Sequence, residues 1–415
     1  MRIERLEERK EGNRKHVSAQ VVYEDCDRPT RELYFETDEA FADGLTCNPH
    51  AFLLASIVPA LHHGERRVYL EGELCPDLRD GVLAAMGWLL HWFYAADRQP
   101  VQIEAKTQRV VPAVWRKERA GQFFSGGIDS LATLRTNRLN YPSEHPGSIK
   151  DGLLVYGLEI GKDVDEYEVF AEVYASLRDL AEHAGLTLIP VYTNLYRVQR
   201  DFDPDWQFWR HEFQGAALAS VAHAFTRRLD TVSIASTNDI AHLEPRGSHP
   251  VLDPHYSGRD MRIWHANETL SRLEKTALVA DWDVALNHMR VCNHVKRYQP
   301  DTFNCGRCEK CVRTMLGLLA LGKLHESSAF PFQDVTPELA DAGVRVDTAY
   351  SESCYRELLK PLADRGRDDL VRVIEKRIEM NHHRNGRRAR IRHFDRKYIK
   401  GSLGKLKRLV AGTLT

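Results

Sequence analysis

The chain predicts an α/β fold, a doubly wound parallel sheet preceded by an α+β domain and followed by a helical region that carries a cysteine cluster. Three observations predict it. From Ala120 onward, short apolar runs alternate with helical patterns, as strands joined by crossover helices do. The first strand-to-helix junction reads Ser125-Gly126-Gly127-Ile128-Asp129-Ser130. Further on, Cys292, Cys305, Cys308 and Cys311 gather within a short stretch.

Residues 1–118 read as a unit of their own. Residues 17–23 and 32–36 have strand patterns, 50–61 a helical one, 67–70 a strand, 78–94 a strongly apolar helix and 101–104 a closing strand. No chemical motif falls in this α+β unit. It is expected to serve packing or dimerisation, as in a homodimer, with a substrate-selecting lid as the sharper alternative. Residues 119–290 form the core domain, with strands at 120–124, 152–158, 186–193 and 231–235 and helices beginning at Ser130, Asp165 and Pro204. Asp203 followed by Pro204 reads as a cap and first helical position. The aromatics after it are core-forming, with Trp209 or His211 as candidates to face a substrate. Residues 291–330 hold the cysteines and a helix, and 331–415 are helical, turning basic at 381–393 and 405–408.

The glycine loop carries the most chemistry. Two adjacent glycines let the backbone turn tightly and approach an anion, and the N–H groups of the following helix point to the same place. Ser125 and Ser130 add donors, while Asp129 is placed to hold a magnesium ion or to order the loop. The pattern is neither G-x-x-x-x-G-K-[ST] nor G-x-G-x-x-G. In doubly wound sheets ligands sit beyond the carboxyl ends of the strands. That puts residues 156–161, Leu158 among them, and Thr193 where a base and ribose would lie. A second polar run, Ser236 to Asp239 and Glu244 to His255, leaves the fourth strand. Its Pro and Gly suit a surface loop, but the density of polar side chains points to a site. Here Asn238 is a nucleotide-contact candidate, Arg246 a bidentate partner for a carboxylate, and Asp239, His249 and Asp253 join His211 as substrate candidates. His255 is a further candidate proton carrier. The segment 269–275 opens a helix with hydroxyl caps.

Cys305, Cys308 and Cys311 stand at i, i+3 and i+6, with Gly306 freeing the backbone to fold a knuckle, and Cys311 entering from the next helix. Cys292 is the natural fourth ligand and His294 the reserve. Four thiolates close a tetrahedral structural zinc site. An iron–sulfur cluster is the alternative, but the ferredoxin run ends in a further cysteine and a proline, where Met315 and Leu316 stand. Cys26, Cys47, Cys75 and Cys354 read as small buried side chains.

Length and composition bound the classes. With 415 residues and 43% hydrophobic residues, the chain can build two or three domains with real cores. A formal net charge of −1 gives no overall basic balance, so a nucleic-acid partner rests on the C-terminal basic run alone and is not favoured. The opening residues hold no apolar signal-peptide core and no stretch approaches the ~18 apolar residues of a membrane span, so the expected compartment is the cytoplasm. Reduced thiols there favour metal binding over disulfides.

The loop at 125–130 resembles the PP-loop of the ATP pyrophosphatase superfamily, whose members split ATP between its α and β phosphates, usually to adenylate a carboxylate, amide or base oxygen. With the four cysteines, the chain is similar to the 7-cyano-7-deazaguanine synthase branch, which pairs a Ser-Gly-Gly-x-Asp-Ser loop with a C-terminal four-cysteine zinc site. The likeness covers about residues 119–320, and it departs in two ways: about 120 residues precede the loop, and the gap from Cys292 to Cys305 is long. It implies a PP-loop, Rossmann-like core, ATP with Mg2+, structural zinc, and a small-molecule acid whose carboxylate or amide oxygen is adenylated with release of pyrophosphate. Ammonia or an amine then gives an amide, or a nitrile after a second activation. The resemblance also brings a lysine near the reacting phosphates. On it, Lys275 and Arg272 neutralise the leaving pyrophosphate, and join Asp129 and Arg246 as the catalytic set. Capping and i,i+3 pairing explain the same two residues without chemistry. Two other classes remain: a sulfur-transfer (thiolation) enzyme, which would need a reactive cysteine or cluster, and a non-catalytic ATP- or RNA-binding module.

Overall fold

Ten strands join in one sheet: β1 (Arg2–Glu11), β2 (Arg14–Val22), β3 (Arg31–Asp38), β4 (Arg67–Leu74), β5 (Gln102–Thr107), β6 (Ala120–Phe123), β7 (Ile149–Tyr156), β8 (Thr187–Thr193), β9 (Thr231–Ala235) and β10 (Arg262–Ala266). Their order across the sheet is β10-β9-β6-β7-β8-β3-β2-β1-β4-β5. This computed structural model describes residues 1–108, 118–158, 160, 167–203, 205–294 and 302–398, with side chains up to residue 384. The chain divides into two compact units, one of Met1–Cys305 with Glu326–Pro331, the other of Gly306–His325 with Phe332–Thr415.

Within the first unit, β6 to β10 are all parallel, in the order β8-β7-β6-β9-β10. This mostly parallel α/β sheet has a Rossmann-like strand order. The chain runs outward from β6 to β7 and β8, then returns to the other side of β6 to lay down β9. Right-handed crossovers put the helices of the two excursions on opposite faces. Accordingly α3 (Ile128–Asn140) packs with α6 (Arg272–Ala280), and α4 (Tyr167–His183) with α7 (Asp283–His288), while α5 (Gln214–Ala224) packs with α1 (Pro49–His63). The strand order reverses between β6 and β9, the place where sheets of this kind bind ligands at the carboxyl ends of their strands. The loop at 125–130 leaves one of these ends and Ser236 the other.

The N-terminal strands do not form a sheet apart. β1, β2 and β3 make an antiparallel meander, β4 and β5 add parallel strands beyond β1, and β3 pairs antiparallel with β8. The border expected near residue 118 is therefore no break in the sheet, and it lies inside the first compact unit. The join has its own bonds. Thr37 Oγ1 donates to the Pro190 carbonyl at 2.7 Å, and Asn194 accepts the Tyr34 N–H at 3.2 Å while donating to the Glu32 carbonyl at 2.7 Å. Left alone, β3 would present an open edge.

Helix α1 starts where Asn48 accepts the His50 N–H and Pro49 presets the first turn, and ends at Gly64 in the left-handed region. It is buried from His50 to Leu61 because α5 covers one flank and the sheet another. Phe52, Leu53 and Ile57 are fully buried, each contributing about 1.5–3 kcal/mol from burial. Helix α2 (Pro76–Phe93) follows β4.

The second unit is helical: α8 (Glu309–Leu321), α9 (Pro337–Gly343), α10 (Ala349–Asp364) and α11 (Asp368–Tyr398). The fully buried Tyr355 donates to Glu309, which also pairs with Arg313 one turn on. The expected helical C-terminal region is thus present. Of its basic run, Asn381 to Arg384 lie on α11; the remaining side chains fall outside the described residues. Among the described residues, no helix is long and apolar enough to cross a membrane.

Asp165 and Pro204 lie outside the described residues, and α4 is described from Tyr167. After Asp203 comes a π-helical turn, Trp209–Phe213, that leads into α5. The buried Asp203 does cap, but its carboxylate accepts the N–H groups of Phe208 and Trp209, both at 2.9 Å.

Candidate functional site

Phe124 is buried at the end of β6, and the backbone then turns at Gly126 with φ +73°. A Cβ at Gly126 would meet Leu177 Cδ2 at 2.6 Å, so both the turn and the packing require glycine. Ser130 donates its hydroxyl to the Gly127 carbonyl at 3.0 Å and lies 3.4 Å from the Ser125 hydroxyl, closing the loop on itself. Gln122, buried under it, donates to the Ser130 carbonyl at 3.2 Å. Ile128 is buried as an anchor, whereas Ser125 is exposed and Gly127 half-buried. Gly127 precedes the first turn of α3, so the amides at that end face the open side of the loop.

Asp129, in that first turn, draws two cations from α6. Arg272 Nη1 donates to its Oδ1 at 3.1 Å, and Lys275 Nζ stands 3.9 Å away. Lys275 is 1% exposed and donates to the Ser236 carbonyl at 2.8 Å, bridging the ends of β6 and β9. Helix α6 holds both cations in register because Ser271 and Glu274 form a reciprocal capping box at its start. Arg290, also buried, donates through Nε to the Ser125 carbonyl at 3.3 Å. Among the described residues, Arg272, Lys275, Arg290 and Asp129 lie about the amino end of a helix that itself favours negative charge.

The second polar run folds mostly on itself. Asp239 caps a 3-10 turn, accepting the His242 N–H at 3.0 Å and facing His242 Nδ1 at 2.6 Å. Asn238 is buried, donates to the His242 carbonyl at 2.8 Å and accepts from Arg246 at 3.2 Å. Asp253 is fully buried and takes Ser248 Oγ at 2.7 Å, His265 Nδ1 at 2.7 Å and the His249 N–H at 3.2 Å. That makes Asp253 a structural anchor, a correction to its candidacy as a substrate contact. His249 packs on Trp92, with ring centroids 5.1 Å apart, and burial lowers its pKa below the ordinary range. His211 donates to the Gln207 carbonyl at 3.0 Å and leans on Phe93, while His255 is half-buried at the end of the run.

Of the expected base and ribose contacts, Leu158 is buried. Thr193 is fully buried and donates to the Tyr34 carbonyl at 2.7 Å, so it belongs to the β3–β8 join and offers a ligand no surface. Residues 159 and 161 lie outside the described residues.

The cysteine prediction meets a formed cluster. The sulfurs of Cys292, Cys305, Cys308 and Cys311 lie within 4.8 Å of one another, with Cys308 and Cys311 3.4 Å apart. Four sulfurs about 2.3 Å from a tetrahedral ion would stand about 3.8 Å apart, so the quartet fits a metal ion such as zinc. Gly306 turns the knuckle with φ +67°, and Cys311 sits in the first turn of α8. His294 is exposed, and only its N–H approaches Cys292 Sγ, at 3.4 Å. The reserve ligand is not needed. No disulfide joins the described cysteines; Cys75 and Cys354 are buried as expected, and Cys26 and Cys47 half-buried.

Sequence reasoning missed Arg290 and Asn304, which stand next to the cysteines and match no motif. It also missed Glu212, held on the π-helical turn by Tyr94 and by His62 at 3.2 Å. Compared with known proteins, the chain matches no family model, no curated protein and no solved structure.

Proposed function

We propose that the chain is an ATP-dependent, AMP-forming ligase that adenylates a small-molecule carboxylate and passes the acyl group to ammonia or an amine. The observation that carries this reading is the meeting of Lys275 and Arg272 with Asp129 beside the glycine loop, at the strand-order reversal. Lys275, 1% exposed, and Arg272 lie at the amino end of α3, where backbone amides and helix dipole favour an anion. A polyphosphate is such an anion.

In the proposed reaction the amides of residues 126–128 bind the β and γ phosphates. Lys275 and Arg272 stabilise the charge that builds on the bond between the α and β phosphates as it breaks. Asp129 would hold Mg2+, which neutralises the phosphates when bound. Arg246, at the open end of β9, fixes the acceptor carboxylate. One carboxylate oxygen attacks the α phosphorus and pyrophosphate leaves. A nitrogen lone pair then attacks the acyl carbon, AMP departs with the bonding electrons, and the nitrogen loses a proton. The cysteine quartet would hold zinc through four thiolates and, with no position left open, would support structure and not chemistry.

The test is release of AMP and pyrophosphate by metal-quantified protein given Mg-ATP, ammonium and a panel of carboxylic acids. Release that depends on one acid and vanishes in Asp129→Ala supports the reading. Formation of ADP, or ATP binding with no turnover for any acid, sinks it.

A further inference from the structure

The loop at 125–130 has a second tether, and it comes from the cysteine segment. The Arg290 N–H donates to the Gly126 carbonyl at 2.8 Å, its Nε to the Ser125 carbonyl at 3.3 Å and its Nη1 to the Cys292 carbonyl at 3.3 Å. One residue, 6% exposed, thus spans the glycine loop and the first cysteine of the quartet. Asn304, fully buried and adjacent to Cys305, completes the path. Its Oδ1 accepts the N–H groups of Val291 at 2.9 Å and Cys292 at 3.1 Å, and its Nδ2 donates to the carbonyls of Met289 at 2.8 Å and Ala329 at 2.9 Å. Every donor and acceptor position of that amide is used. The backbone of 289–292 is therefore held to the residue before Cys305, while the sulfurs of Cys292 and Cys305 meet in the quartet.

We propose that the cysteine cluster is the anchor of the glycine loop, so that metal loading orders residues 125–128 through Arg290 and Asn304. Without an ion no bond joins the four sulfurs, and an ion that joined them would fix Cys292. Two stiff peptide units away, Arg290 would be fixed with it. Coupling of this kind is reciprocal: whatever binds the ordered loop tightens metal binding by the factor by which the metal tightens its own binding. The nucleotide half of the inference rests on the ATP reading above, and the loop-ordering half does not.

Arg290 and Asn304 are positioning residues, and hydrogen exchange of the full-length chain tests them without activity. Amides of residues 123–131 are compared in zinc-loaded protein, in protein stripped by a chelator and in zinc-loaded Arg290→Met, which keeps the side-chain stem. Peptides from β2 and β3 report that the fold persists. The expected result is exchange about tenfold faster in the loop alone, both on stripping and in Arg290→Met, the size of one lost charge-assisted hydrogen bond. Loop exchange unchanged in the zinc-loaded variant overturns the anchor even if stripping unfolds the protein. A second arm measures zinc affinity by equilibrium competition with a colorimetric chelator, expected about tenfold tighter with saturating Mg-ATP in the wild type and unaltered by it in Arg290→Met. If ATP does not bind while the loop still responds to zinc, the nucleotide reading fails and the anchor stands. If ATP binds while the loop ignores zinc, the anchor fails and the nucleotide reading stands.

Discussion

The two polar clusters of the first unit make a useful contrast. At the head of α3, Arg272 and Lys275 reach across from α6 to one carboxylate, Asp129, beside the glycine turn, so that side chains of two distant segments meet there. In the run after β9, acids and bases pair off locally: Asp239 with His242, Asn238 with Arg246, Asp253 with Ser248 and His265. The second cluster is richer in polar residues, yet most of them hold its own irregular backbone.

Substitution can break that contrast. Asp129→Ala and Lys275→Met should each lower acid-dependent pyrophosphate release by about 10²–10³-fold, the range for removing one preorganised electrostatic contact. Thermal unfolding, measured alongside, should shift little for Asp129→Ala. Asp253→Ala should do the reverse, costing about 3 kcal/mol in urea denaturation because three donors lose a buried acceptor, while the rate per folded molecule stays within about threefold. An intact midpoint with lost activity would move Asp253 back among the site residues.

Beneath the second run lies a buried histidine pair, which gives a pH test of its scaffold character. His223 donates to the Tyr256 carbonyl at 2.9 Å and His50 accepts the Cys75 N–H at 3.1 Å. Burial lowers the His50 pKa to about 4 and that of His223 to about 3. Both stay neutral in the fold while the unfolded chain takes up protons below about pH 6.5. Stability is therefore full above that pH and falls as the pH drops toward 4, by about 2 kcal/mol per histidine at pH 5. Urea midpoints at pH 7 and pH 5 should show the loss, and His223→Gln should flatten it. The smallest effect belongs to Arg246→Ala, for which KM for the acid should rise about tenfold with kcat little changed, as one charge-assisted contact is lost. Unchanged KM would assign Arg246 to its bond with Asn238 alone.

How much was legible followed from how local each signal is. Strands β6 to β9 announced themselves by apolar runs, α6 by its capping box, and the cysteine quartet by its spacing. Strand β1 did not, because Arg2 to Glu11 is mostly charged and exposed, and only its long-range pairing with β2 makes it a strand. Strand β10 is five residues long, with Arg262 and Trp264 facing outward. The join of β3 to β8 depends on Thr37, Thr193 and Asn194 meeting backbone groups more than 150 positions away in sequence, which no window of residues reveals. For the same reason Thr193 looked like a ligand contact and Arg290 like nothing at all.

The measurement that bears most directly on the central claim is exchange of labelled pyrophosphate into ATP, which needs the acid but no nitrogen nucleophile. Incorporation that depends on one carboxylic acid and is abolished in both Asp129→Ala and Lys275→Met is the predicted result. Exchange that persists in those variants, or its absence for every acid with a protein that binds Mg-ATP, would contradict an adenylating site at the head of α3.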